Sequence, residues 1–214
     1  YKTMMPPKRW LLILLPILAI LAFYFFYSNR ALNTLRVHVG KPYDEVVRDS
    51  TFSVKANTVI YPSEPSHPSS TWITSPVVIQ YDDPNYGFVF PATIFGAITY
   101  DDGKVAGITT SPMLEMLSFS ELVPLLEEVQ SRLKGAGWTP QHPNKLTWLI
   151  TTTEQQKNAL QDKLFKQVAI VLLGIPQKYT LAINIKCFKR CNERNPATAK
   201  YLIDISMGRN YFRE

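Results

Sequence analysis

The chain has 214 residues, 46% of them hydrophobic and 19% charged, which is a globular composition with enough length for one compact domain. Its formal net charge is +6. Four of the basic residues (Lys2, Lys8, Arg9 and Arg30) flank one apolar stretch, which leaves about +2 elsewhere, too little to mark a nucleic-acid binder.

That stretch is Trp10 to Tyr27, WLLILLPILAILAFYFFY, 18 residues without a charge. As a helix it is about 27 Å long, close to the hydrocarbon thickness of a bilayer. Trp10 opens it, and Tyr24, Phe25, Phe26 and Tyr27 close it as an interfacial aromatic belt. The alternative is a cleaved signal peptide, but no A-x-A site occurs and the aromatic end suits a peptidase poorly. A single-pass anchor is therefore expected at 10–27. Lys2, Lys8 and Arg9 would hold residues 1–9 in the cytoplasm, and a tether at 28–36 would lead to a domain over 37–214 outside it.

In chain order, Val37 to Ser50 contains Tyr43, Val46 and Val47 at helical spacing, enough for one or two turns. Thr51 to Tyr61 alternates apolar and polar residues and predicts a strand. Pro62 to Thr71 reads as a Pro/Ser loop. Trp72 to Tyr81 predicts a strand broken near Pro76, and Phe88 to Phe90 and Ile94 to Tyr100 predict two more. Asp101-Asp102-Gly103-Lys104 is an Asp-Gly hairpin turn with Val105 to Thr110 as its return strand. Ser118 to Lys134 predicts the clearest helix, with Ser118 and Glu121 at capping-box spacing, a Leu122, Leu125, Leu126, Val129, Leu133 stripe, and Trp138 folding back over its end.

Lys145 to Ile150 predicts a strand, and Thr153 to Gln167 a second helix with Ala159, Leu160, Leu164 and Val168 inward. Val168 to Ile175 suits either that helix's buried end or a strand. Thr180 to Phe188 and Tyr201 to Met207 alternate and predict a hairpin joined by the basic loop Lys189 to Lys200. The expected fold class is α+β: a transmembrane helix, then one domain of antiparallel sheet packed with two main helices.

Chemistry is sparse. His38, His67 and His142 have no metal-spaced partner, and no nucleophile elbow, phosphate loop or dinucleotide fingerprint occurs. No enzyme, cofactor, metal or small-molecule substrate is expected on these grounds. Cys187 and Cys191, in CFKRC, suit a disulfide across a hairpin mouth in an oxidising compartment, or two free thiols; no His stands nearby to complete a metal site. Val37 to Gln130 carries twelve Asp and Glu against four Lys and Arg, whereas Lys178 to Glu214 carries eight basic against three acidic residues. Such a dipole can steer an oppositely charged protein. Asp82, Asp83, Asp101 and Asp102, all in turns, are the candidate partner contacts, with the basic loop 189–200 as the next candidate.

Two resemblances bear on function. GKPYDEVV resembles the opening of small envelope lipoproteins of the outer-membrane assembly type. The hairpin, LSFSELVPLLEEVQSRLKGAGW, the second helix, and the YTLAINIKC and YLIDIS strands are together similar in layout to membrane-anchored immunity proteins of bacterial type VI secretion systems. That resemblance implies a bacterial inner-membrane protein with a periplasmic domain, whose partner is a secreted protein toxin that it binds and blocks. The alternatives are an envelope assembly or accessory factor and, third, a membrane-anchored hydrolase.

Overall fold

The computed structural model describes residues 32–60 and 68–210. The expected anchor at 10–27, its flank at 1–9 and the first part of the tether lie outside the described residues. Among the described residues no helix is long and apolar enough to cross a membrane.

The described residues from Asn33 onward form one compact unit. It is an α+β fold with eleven strands and three α-helices among the described residues. In chain order these are β1 (Asn33–Val37), α1 (Tyr43–Asp49), β2 (Thr58–Ile60), β3 (Ser69–Trp72), β4 (Val77–Tyr81), β5 (Phe88–Val89), β6 (Gly96–Asp101) and β7 (Lys104–Thr110). Then follow α2 (Phe119–Gly135), β8 (Thr139–Pro140), α3 (Glu154–Leu164), β9 (Ala169–Ile175), β10 (Tyr179–Lys189) and β11 (Lys200–Arg209).

Eight strands make one antiparallel sheet in the order β2-β3-β6-β7-β11-β10-β9-β8. Its spine is the β10–β11 hairpin, paired from Tyr179 with Arg209 to Lys189 with Lys200, with a bulge between Cys187 and Lys189. Alternation sends Leu181, Ile183, Ile185, Tyr201, Ile203 and Ile205 into the core. Ala182, Asn184, Lys186, Leu202, Asp204 and Ser206 go to the other face. Helix α2 packs against β11 and β5, and α3 against β9 and β10, all on the core side.

Local signals explain the elements that match expectation. Asp102 and Gly103 both have positive φ (49° and 67°), the requirement of a two-residue hairpin turn with the twist of its strands. At α2 the Glu121 carboxylate accepts from the Ser118 amide at 2.8 Å and from the Ser118 hydroxyl at 2.6 Å, forming the expected capping box. At α3 the Thr153 hydroxyl accepts from the Gln156 amide at 3.2 Å, and the Gln156 side-chain oxygen accepts from the Thr153 amide at 3.0 Å.

Several expectations are corrected. Residues 33–37 are a sheet strand, so the domain starts inside the span expected to be tether. Thr51 to Tyr61 is no continuous strand: a 3-10 turn at Lys55–Asn57 precedes the short β2. Trp72 to Tyr81 is not one broken strand but the end of β3 and all of β4, which belong to different sheets. The second sheet, β1-β4-β5, is small and includes a parallel β1–β4 pair.

Lys145 to Ile150 is irregular. The Gln130 side chain clamps its backbone, donating to the Leu149 carbonyl at 3.0 Å and accepting from the Leu149 amide at 2.8 Å, and Leu146 has φ 43°. Residues 169–175 are strand β9, and Ala159 and Val168 are exposed rather than inward.

Candidate functional site

Two places hold side chains with something to do: the acidic end of the small sheet, and the face of the large sheet turned away from the helices.

At the first, β1 and β4 run parallel and end together, so that Asp82 N donates to the Val37 carbonyl at 3.0 Å. The chain after β1 turns back through Gly40 (φ 91°) and places Lys41 under that end. Lys41 is 2% exposed. Its ammonium donates to Asp82, lies 3.0 Å from Asp49 Oδ2, and reaches the Arg36 carbonyl at 3.3 Å. The Lys41 ammonium bonded to Asp49 holds that carboxyl below its ordinary value. His38 Nδ1 lies 2.7 Å from the other oxygen of Asp82. A His–Asp pair is one part of a nucleophilic site, but no hydroxyl or thiol is hydrogen-bonded to His38 among the described residues.

Asp83 is also committed inward. It accepts from the amides of Asn85 and Tyr86, both at 2.9 Å, and from the Tyr179 hydroxyl at 2.7 Å. Burial alone would raise this carboxyl. The Tyr179 hydroxyl and the two amides outweigh burial and hold it below its ordinary value, while burial and the Asp83 carboxylate push the Tyr179 hydroxyl up to about 12. Of the four candidate aspartates, only Asp101 and Asp102 project into solvent. Asp82 and Asp83, candidate partner contacts as well, are instead held within the fold: the turn carboxylate of Asp83 satisfies local amides, and the buried Lys41 claims Asp82. The hairpin tip is nonetheless at the same end of the fold, since the Tyr43 amide donates to the Gly103 carbonyl at 2.9 Å.

A pH dependence follows for Asp83. A carboxyl held below its unfolded value of 3.8 contributes stability that is present above that pH and lost as the pH falls through the folded value. The stability gap between wild type and Asp83→Asn should therefore be widest near neutrality and close below about pH 3.8 in acid denaturation curves.

The second place is a groove of about 690 Å³ on the open face of the large sheet. Thr109, Ser206, Asp204, Leu202, Lys186 and Asn184 form its floor, contributed by β7, β11 and β10. Its walls are Ile94 and Phe95 before β6, and Met113, Leu114 and Met116 after β7. Phe188, at the end of β10, closes one side. Phe95 is 56% exposed, Phe188 59% and Leu114 48%, a concentration of large apolar side chains facing water. The charges of the floor are paired with each other: Lys186 lies 2.6 Å from Asp204, and the Ser111 hydroxyl donates to the same carboxylate. Glu115, exposed, also lines the groove. A further hollow, of about 510 Å³, lies beside Gly87 and the end of α2; its one cation, Arg132, is already held by Glu128 and the Val89 carbonyl.

Cys187 and Cys191 are joined, with Cα atoms 5.9 Å apart. The bond closes a ring of five residues at the mouth of the β10–β11 hairpin, and Phe188 is inside it. A loop this short removes little entropy from the unfolded chain, at most about 2 kcal/mol. Cys187→Ser with Cys191→Ser should lower the stability by no more than that, read from urea melts of oxidised wild type and variant.

No group of three or more His, Cys, Asp or Glu that could hold a metal ion occurs among the described residues. No protein family model, curated protein or solved structure matches the chain.

The groove escaped sequence reasoning because its residues come from positions 94 to 206 and gather only when β6, β7, β11 and β10 lie side by side. The one local hint is the apolar Ile94-Phe95 pair just after Pro91, where a surface turn would ordinarily be polar.

Proposed function

We propose that the chain is a membrane-tethered binding protein of the bacterial envelope, whose periplasmic domain captures a protein partner on the open face of its large sheet. The carrying observation is the groove, with Phe95, Leu114 and Phe188 exposed around a floor whose two charges, Lys186 and Asp204, are paired with each other. Apolar anchors clustered round a hollow suit a protein contact, since such anchors dominate binding energy. Two further features support the setting: the charge-free Trp10 to Tyr27 stretch, and a disulfide, which persists in oxidising compartments.

Within that class the specific reading is an immunity protein that neutralises a secreted toxic effector, in keeping with the resemblance of layout to those of type VI secretion systems. An inhibitor needs a rigid scaffold and a complementary patch, with no catalytic constellation of its own. Tethering would concentrate it at the inner membrane, where an incoming toxin first acts.

The test is protection. The product of the neighbouring reading frame is directed to the periplasm of a host with and without this chain. Growth arrest that the full chain relieves is the expected result. Arrest that it fails to relieve, or no arrest at all, would count against the immunity reading, and an envelope assembly role would then take its place.

A further inference from the structure

We propose that the segment seated in the groove is an acidic, apolar stretch of the partner, with Phe188 as its apolar seat and Lys189, Arg190 and Arg194 as its charge clamp. This rests on the reading of the open face as the binding surface. It names the chemistry of the partner, which that reading leaves open.

The charges are placed for it. Lys189 and Arg190 share the five-residue disulfide ring with Phe188, and Arg194 follows the 3-10 turn Cys191–Glu193. All three are exposed. Lys186 is paired with Asp204, but Lys189, Arg190 and Arg194 enter no ion pair among the described residues. The one carboxylate among them, Glu193, accepts from the Thr198 hydroxyl at 3.1 Å. Against Glu193 in the same loop and Glu115 in the groove lining, the three cations leave a net positive charge in the segment that follows Phe188. A segment both apolar and acidic matches the groove and that charge together; the charge raises the association rate while the apolar contact sets the residence time.

The disulfide contributes order. Arg190 and Arg194 both lie in the left-handed region, φ 56° and 48°, where a non-glycine residue is held only by its surroundings. The cross-link keeps this turn closed, so that Phe188 and the cations are presented together before the partner arrives. Preorganisation of this kind lowers the cost of binding.

The experiment is a peptide-display selection on the full oxidised chain in nanodiscs of zwitterionic lipid, with empty nanodiscs for counter-selection. Enriched peptides are then synthesised and their binding is read by fluorescence anisotropy. The proposal expects peptides rich in Leu, Phe or Ile with an excess of Asp and Glu. Their affinity should fall with added salt in the wild type. It should drop about tenfold or more at low salt in the K189E/R190E/R194E variant, and a few-fold in C187S/C191S.

All of these positions are exposed or half-exposed, and circular dichroism verifies that each variant is folded. Peptides that lose affinity for F188E/L202E yet bind the triple charge variant as well as wild type would overturn the acidic-partner proposal and leave the groove standing. Enrichment of neutral or basic peptides would do the same. Peptides indifferent to F188E/L202E, or a selection that enriches nothing, would overturn the reading of the open face itself, and the proposal with it.

Discussion

Lys41→Met should destabilise the domain by about 3–5 kcal/mol, more than any surface substitution, as measured by urea denaturation at neutral pH. Lys41 is 2% exposed and is the shared partner of Asp82 and Asp49. Methionine fills much of the same space, so packing changes little. What is lost is the charge that two carboxylates need, one of which also faces His38. The cost is that of uncompensated acids at the end of the small sheet, not the net worth of the ion pair. Adding Asp82→Asn to the methionine variant should therefore recover part of the loss, a coupling expected of residues in one network. Equal losses for the single and double variants would show that the carboxylate is not what suffers.

Trp138→Ala should cost about 3–5 kcal/mol and lower the melting temperature by about 10 °C. Trp138 is 1% exposed and sits where four parts of the fold meet. Its ring lies 5.9 Å from that of Tyr81 on β4, 6.1 Å from Phe88 on β5 and 6.0 Å from Tyr179 on β10. Its amide donates to the Leu133 carbonyl at the end of α2, and its indole N–H to the Tyr86 carbonyl at 3.2 Å. Truncation opens a cavity between the two sheets and strips the Tyr86 carbonyl of its donor. Near-ultraviolet circular dichroism should lose intensity together with the melting point. A loss near 1 kcal/mol would mean that the small sheet closes onto the gap.

Much of the large sheet was legible because its signals are local. The Asp101–Lys104 turn needs only Asp102 and Gly103 to take positive φ. The α2 cap needs only Ser118 and Glu121 three residues apart, and the β10–β11 hairpin shows itself by alternation. What escaped depends on non-local partners. The parallel β1–β4 pair joins residues 44 positions apart, so NTLRV looks like tether until Val77 to Tyr81 lies beside it. Lys145 to Ile150 has a strand's composition, yet Gln130 binds its backbone before any neighbour can.

The site divides in the same way. Lys41, in GKPYDE, has the look of a surface lysine, and nothing nearby in sequence shows that Asp82 will enclose it. Asp82 and Asp83 have the look of turn formers, and that is largely how they are used. The cysteine pair and the basic loop were visible. Their place beside an apolar groove was not, because Phe95, Leu114 and Phe188 meet only across four strands.

Binding of the secreted protein encoded beside this chain to the full chain in nanodiscs, measured by interferometry for three proteins, tests the central claim most directly. The three are wild type, the groove variant F95E/F188E, and the turn variant D101N/D102N. Asparagine also suits a hairpin turn, so the turn variant keeps its fold. The groove variant should lose affinity roughly thirty-fold or more, the scale of two apolar anchors, and the turn variant should bind as wild type does. Wild-type affinity in the groove variant, with the loss appearing instead in D101N/D102N, would contradict the central claim.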